Sequence, residues 1–212
     1  EWIIAPKVPE NIKAELSDFS DIMQQILYNR GIMDLISAAH FFDKEANAHD
    51  PFLMKDMDKA VERIFHAIDV QESIAVFGDY DADGITSTAL LSEVLSTLGA
   101  LVTPYIPERE EGYGVNTNAI DFLHDQEISL IITVDCGIRS PEELRYAQDL
   151  GMTVIVTDHH VPAEIIPDVH SVICPRVKED QYPDKNLSGV GIAYKLAQAL
   201  FQRKSGSIKF AD

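Results

Sequence analysis

Apolar residues in the first fifty positions recur at helical spacing. Ile22, Ile26 and Leu27 mark one face, Gly31 breaks it, and Ile32, Leu35, Ile36 and Ala39 resume it before a polar stretch through Asn47 and Asp50-Pro51. A helix is expected over Leu53 to Ile68, with Met57, Val61, Ile64 and Ile68 on one side. Beyond it the pattern alternates. Ile74 to Phe77, Leu101 to Ile106, Leu130 to Val134, Met152 to Thr157 and the shorter Ser171 to Ile173 read as strands. Between them, helical stripes open at Gly84, at Thr117 behind an Asn116 N-cap, and at Pro141. Gly99 and Gly151 close the first and the last of these. A final helix begins at Gly189-Val190-Gly191 and carries Ala193, Leu196, Ala197 and Leu200. Strands and helices alternating at this spacing predict right-handed crossovers and an α/β fold, a parallel sheet with helices on both faces. The expected organisation is a short helical segment over residues 1–50 and an α/β domain over residues 51–212.

The polar residues fall in register with that pattern. Asp79, Asp81 and Asp83 follow the first strand, Asp135 follows Val134, and Asp158-His159-His160 follows Thr157. Open parallel sheets bind ligands at the carboxyl ends of their strands, and packing alone gives no reason to collect acids and imidazoles there. Two carboxylates about 5 Å apart repel by roughly 3 kcal/mol at an effective dielectric of about 20. A divalent cation relieves that repulsion; oxygen-rich ligands point to magnesium, manganese or calcium rather than zinc alone, and carboxylates joined by imidazole suit manganese better than a pure oxygen site does. A lone aspartate after one strand is explained equally well as a helix cap; three strand ends are not.

Composition narrows the setting. With 46% hydrophobic residues the 212-residue chain can bury a substantial core. No apolar run is long enough to span a membrane, and the first residues lack the pattern of a signal peptide, so a cytoplasmic protein is expected. Cys136 and Cys174 stand far apart in apolar surroundings and predict no disulfide framework. The net charge of −18 argues against gripping a polyanion through basic surface, though not through bound metal. His40, His49, His66, His124 and His170 lack acidic partners at strand ends and are expected to be structural or solvated.

Phe77-Gly78-Asp79-Tyr80-Asp81-Ala82-Asp83-Gly84, Val134-Asp135-Cys136-Gly137, Thr157-Asp158-His159-His160 and Ser188-Gly189-Val190-Gly191-Ile192-Ala193-Tyr194-Lys195-Leu196 resemble the successive motifs of the DHH phosphoesterases. The stretch Arg109-Glu110-Glu111-Gly112-Tyr113-Gly114-Val115-Asn116 adds a likeness to the RecJ-type single-strand-specific exonucleases within that superfamily. The resemblance implies two divalent cations, Mn2+ or Mg2+, and hydrolysis of single-stranded DNA from a 5′ end to mononucleotides, in DNA repair and recombination. It implies Asp81, Asp83, Asp135 and His159 as metal ligands and His160 as a contact to metal or phosphate. Asp158 then orients a histidine, and Asp79 is either a ligand or an anchor facing the helix.

Arg109 is the candidate for phosphate recognition, against a salt bridge to Glu108, Glu110 or Glu111. Tyr113 either stacks on a base or packs on the sheet. Gly189 and Gly191 either offer backbone N–H groups to an anion or form a tight helix entry. Thr86 and Ser87 read as helix-capping rather than phosphate-binding. Cys136 is expected to pack rather than react. Two departures stand out: Phe77 occupies a position where some superfamily members carry histidine, and no further aspartate motif follows Leu196. The chain therefore reads as the amino-terminal portion of a longer enzyme, expected to bind metal but to degrade DNA poorly alone. Its implied partners are 5′-phosphorylated single-stranded DNA, further carboxyl-terminal domains, and a helicase or single-strand-binding protein. The rival readings are a DHH phosphodiesterase acting on cyclic dinucleotides, short oligonucleotides or pyrophosphate, and a catalytically silent scaffold of the same fold. A dinucleotide-binding domain is disfavoured because no Gly-x-Gly-x-x-Gly follows the first strand.

Overall fold

A computed structural model describes residues 4–42, 49–112 and 114–208. The chain divides into two compact units, Glu1–His49 and Asp50–Asp212. In the first, α1 (Glu10–Glu15), α2 (Asp21–Asn29) and α3 (Leu35–Phe42) enclose a small core of Leu16, Leu27 and Ala38. Ser20 caps α2, and the amide of Gln24 donates to the Leu16 and Phe19 carbonyls, tying α2 to the chain before it.

The second unit is built on a five-stranded, wholly parallel sheet in the order β2-β1-β3-β4-β5. The strands are β1 (Ser73–Phe77), β2 (Leu101–Tyr105), β3 (Leu130–Val134), β4 (Thr153–Thr157) and β5 (Ser171–Ile173). Side-chain alternation divides the core in two. Ile74, Val76, Leu130, Ile132, Val134, Ile155 and Ile173 face α4 (Met57–Asp69), α5 (Ala82–Leu98) and α8 (Gly189–Ile208). Ala75, Phe77, Ile131, Val154, Val156 and Val172 face α6 (Thr117–Asp125) and α7 (Pro141–Asp149). Helices on both faces are the arrangement the sequence pattern predicts.

Boundaries differ where tertiary contacts override local pattern. The helix expected from Leu53 starts instead at Met57, because Asp56 takes a left-handed backbone (φ 62°) and its carboxylate accepts the Val172 N–H. A single 3-10 turn, Pro51–Leu53, precedes it. The helix expected to open at Gly84 starts two residues earlier, since Asp81 is its N-cap. Strand order decides where a ligand can enter. The chain steps outward from β1 to β2, then returns across β1 to β3, so a crevice opens between β1 and β3 at their carboxyl ends.

Candidate metal centre

The register aligns Phe77 with Thr133 and Val134 with Thr157, which sets the ends of β1, β3 and β4 level. Every acid expected in the site leaves one of these three ends. After β1 the chain turns tightly onto α5. A Cβ on Gly84 would lie 2.6 Å from the Asp79 backbone nitrogen, so glycine is required for this approach. Asp81 Oδ1 accepts the Asp83 N–H at 2.8 Å and the Gly84 N–H at 2.9 Å, capping α5 with one carboxylate oxygen. The Thr86 and Ser87 hydroxyls donate back to carbonyls of Ala82 and Asp83, serving the helix as expected.

Asp135 holds a left-handed backbone (φ 60°), fixed by its N–H donating to the Thr157 carbonyl at 3.0 Å. Asp158, 1% exposed, is an organiser. Its Oδ1 accepts the His159 and His160 N–H groups and His160 Nδ1 (2.8 Å), while Oδ2 accepts the Ile138 N–H. The histidine oriented by Asp158 is thus His160. His159 is oriented by a group the sequence could not reveal, the Leu187 carbonyl, 3.1 Å from its Nδ1. A carbonyl can only accept, so Nδ1 carries the proton, and in the neutral ring Nε2 keeps its lone pair.

That lone pair points at acid. His159 Nε2 lies 3.1 Å from Asp135 Oδ1, yet Asp135 Oδ1 receives no hydrogen bond among the described residues; two acceptors face one another. Asp79 Oδ1 is buried and also without a donor among the described residues. Among those residues, ligand atoms of Asp79, Asp81 and Asp135 lie within 4.8 Å of one another, as do those of Asp135, His159 and His160. Asp135 belongs to both groups. Asp83 sits at the edge, its Oδ2 3.8 Å from His159 Nε2. Its two oxygens accept the N–H groups of Gly189 and Val190 at 2.7 and 2.8 Å, joining the site to the start of α8.

The electrostatics follow from burial. Asp135, 2% exposed, has its carboxyl pushed up to about 7, by burial first and then by the negative charges of Asp83 and Asp81. Burial likewise raises Asp79. Burial pushes Asp158 upward too, but hydrogen bonds from His160 and Ile138 outweigh it and hold the carboxyl below its ordinary value. The hydrogen bond to Asp158 raises His160. A buried carboxylate pair with bare oxygens beside an imidazole lone pair is a donor set that fits a hard divalent cation.

Among the remaining candidates, Arg109 lies in a 3-10 turn after β2, with its guanidinium 4.9 Å from the centre of the Tyr80 ring and near enough to Asp79 to oppose the rise in its pKa. Both Arg109 and Tyr80 line a cleft of about 450 Å³ with Ile85, Ile106 and Pro107. Tyr80 was open to notice, since it stands inside the first acidic motif, but nothing in the sequence pairs it with Arg109. Tyr113 lies outside the described residues. The anion-binding reading of Gly189 and Gly191 requires correction: the Gly189 and Val190 N–H groups are committed to Asp83 and that of Gly191 to Ser188 Oγ (3.2 Å). The tight-entry alternative is what the geometry supports. Phe77 stacks on Tyr105 within the core facing α6 and α7. Both cysteines are buried and free. No helix among the described residues is long and apolar enough to cross a membrane.

Comparison with known proteins places the same segment. Residues 73–212 match the model of the DHH family, N-terminal domain. The chain is 43% identical over 203 residues to the single-stranded-DNA-specific exonuclease RecJ of Bacillus subtilis, covering 94% of this chain and 26% of that protein. It superposes on a structure of exonuclease RecJ bound to manganese with a TM-score of 0.65 and 41% identity, covering 71% of this chain and 38% of that one. With RecJ from Thermus thermophilus in complex with Mn2+, the TM-score is 0.70 at 31% identity, over 92% of this chain and 27% of that one. The chain therefore spans about a quarter of the length of the RecJ relatives it matches in sequence.

Proposed function

Since this chain belongs to the DHH family, we propose that it is the metal-binding part of a RecJ-type exonuclease, which hydrolyses single-stranded DNA from a 5′-phosphorylated end to mononucleotides in DNA repair and recombination. Mn2+ or Mg2+ is the proposed cofactor, two ions being held by Asp79, Asp81, Asp83, Asp135 and His159, with His160 against metal or phosphate. Two such ions lower the pKa of an attacking water and neutralise charge on the phosphate. One observation carries this reading: Asp135 lies within ligand reach of Asp79 and Asp81 on one side and of His159 and His160 on the other, and neither Asp135 Oδ1 nor Asp79 Oδ1 has a hydrogen-bond donor among the described residues.

The chain's own residues supply orientation. The Leu187 carbonyl holds the proton of His159 on Nδ1, and Asp158 holds His160 by the same nitrogen, so each ring keeps a fixed direction. Asp81 spends one oxygen on the cap of α5 and presents the other. Arg109, braced on Tyr80, takes a phosphate of the strand in a forked pair of hydrogen bonds. Further domains of a longer polypeptide complete the DNA groove, a helicase or single-strand-binding protein supplies substrate, and the enzyme works in the cytoplasm.

The net charge of −18 favours a second reading, a small-substrate phosphodiesterase that needs no basic surface. Hydrolysis of a long 5′-phosphorylated single strand, a dinucleotide and pyrophosphate is to be compared under Mn2+ titration, with Asp135→Ala as control. Manganese-dependent digestion of the long strand, lost in the variant, supports the exonuclease. Turnover confined to the small substrates overturns it, and turnover of none of them, with no response to manganese, favours a silent scaffold.

A further inference from the structure

We infer that the main chain of Leu187–Val190 is the template of the metal centre, and that Gly189 is a positioning residue for Asp135. The inference rests on the metal-dependent function proposed for this chain. Three candidate ligands from three different strand ends meet the main chain of this one stretch. The Leu187 carbonyl accepts from His159 Nδ1 at 3.1 Å and so fixes which ring nitrogen faces the acids. The N–H groups of Gly189 and Val190 donate to the two oxygens of Asp83. The bare Cα of Gly189 leaves room for Asp135: a Cβ there would lie 2.6 Å from Asp135 Cβ and nearer still to its carboxylate.

Asp135 cannot swing away from such a methyl group. It is 2% exposed, and its backbone is pinned at φ 60° by the bond to Thr157. Alanine at 189 must therefore displace either Asp135 itself or the first turn of α8. Moving the turn breaks the bonds to Asp83 and draws the Leu187 carbonyl off His159, so either path disturbs the ligand set. Gly191, two residues on, differs. A Cβ there meets Leu187 at 3.4 Å and Ser188 Oγ at 3.5 Å, ordinary contact distances, inside a helix that favours alanine over glycine. The sequence writes both positions as one Gly-Val-Gly motif; the structure gives only the first a role at the metal.

The test is a Mn2+ titration of the chelator-treated full chain, followed by the electron paramagnetic resonance signal of free Mn2+. Gly189→Ala is expected to weaken binding about 10- to 100-fold, the range found when a group supporting a ligand is altered. Gly191→Ala is expected to bind as wild type. Imidazole 15N resonances provide a readout that general destabilisation does not move: His159 is protonated on Nδ1 in the metal-free wild type and loses that preference in Gly189→Ala. Should Gly189→Ala fold poorly, Asp135→Gly removes the obstacle, and the fall in metal-free Tm caused by the alanine is expected to vanish in that background. Equal Mn2+ binding by wild type and Gly189→Ala overturns the inference, as does equal weakening by Gly191→Ala or an alanine effect that persists beside Asp135→Gly. If wild type itself binds no Mn2+, it is the metal-dependent function that fails, and the clash-relief measurement still decides the geometry.

Discussion

Asp135→Asn should stabilise the metal-free protein while abolishing its response to metal. Asparagine matches aspartate in shape, tolerates the left-handed backbone seen at φ 60°, and can donate an amide hydrogen to His159 Nε2, 3.1 Å from Asp135 Oδ1. What it removes is a buried charge. The folded carboxyl titrates near 7 against an ordinary 3.8. From pH 3.8 to 7 the unfolded chain has released this proton and the folded chain still holds it, so stability falls as pH rises, and above about 7 the loss is complete. At roughly 1.4 kcal/mol per pH unit the full loss is about 4 kcal/mol, of which about 3 accrues between pH 5 and 8.

Urea denaturation of chelator-treated wild type and Asp135→Asn at pH 5 and pH 8 measures this directly. The stability difference in favour of the variant should widen by about 3 kcal/mol across that interval, a shift of roughly 1–2 M in midpoint for a domain of this size. Added Mn2+ should raise the wild-type midpoint at pH 8, where the cation replaces the proton, and leave the variant unmoved. A difference that stays flat with pH would show that Asp135 is not a strained buried carboxylate, and the electrostatic account of the site would fall with it.

Asp158→Asn should leave the helices and sheet intact by circular dichroism but weaken Mn2+ binding about 10- to 100-fold, because an amide no longer holds His160 with a charged acceptor. Arg109→Ala should raise KM for a 5′-phosphorylated strand by roughly 10- to 100-fold, the worth of a charge-assisted pair of about 1.5–3 kcal/mol, with little change in metal affinity. Comparable losses on strands lacking the 5′ phosphate would remove Arg109 from that contact. Phe77→Ala, at a fully buried ring stacked on Tyr105 at 5.2 Å, should cost about 3–5 kcal/mol in chemical denaturation; a loss under about 1 kcal/mol would contradict the packing described.

Much of this site was legible because strand period and strand ends are local properties. Short, mostly apolar runs followed within two residues by Asp locate Asp79, Asp135 and Asp158 at one edge of a parallel sheet without knowledge of strand order. Helix caps were legible for the same reason: Asn116 does accept the Ala119 N–H at 2.8 Å. Contacts made by main chain across long separations were not. Any residue has a carbonyl, so nothing marks Leu187 as the partner of His159, and nothing in Gly189-Val190 announces that Asp83, 106 residues earlier, takes its N–H groups. The amino-terminal helices misled in detail: Ile22 and Ile36 keep helical spacing yet are 76% and 73% exposed, while Leu16, Leu27 and Ala38 form the core.

The arrangement also explains why a site so rich in acid can exist in a folded protein. Sheet order opens a crevice between β1 and β3, and the acids that line it come from rigid strand ends that cannot spread to relieve repulsion. Hydrogen bonding answers part of the charge: α8 donates to Asp83, α5 to Asp81, and His159, His160 and Ile138 to Asp158. Among the described residues Asp79 and Asp135 each keep one buried oxygen without a donor, and in these two burial prevails and raises the carboxyl, whereas in Asp158 the hydrogen bonds outweigh it. The fold thus satisfies the acids that shape the crevice and leaves unsatisfied those that face its centre. Rigidity of this kind lowers the stability of the metal-free protein, and the same unrelieved charge gives a divalent cation its gain in free energy on binding.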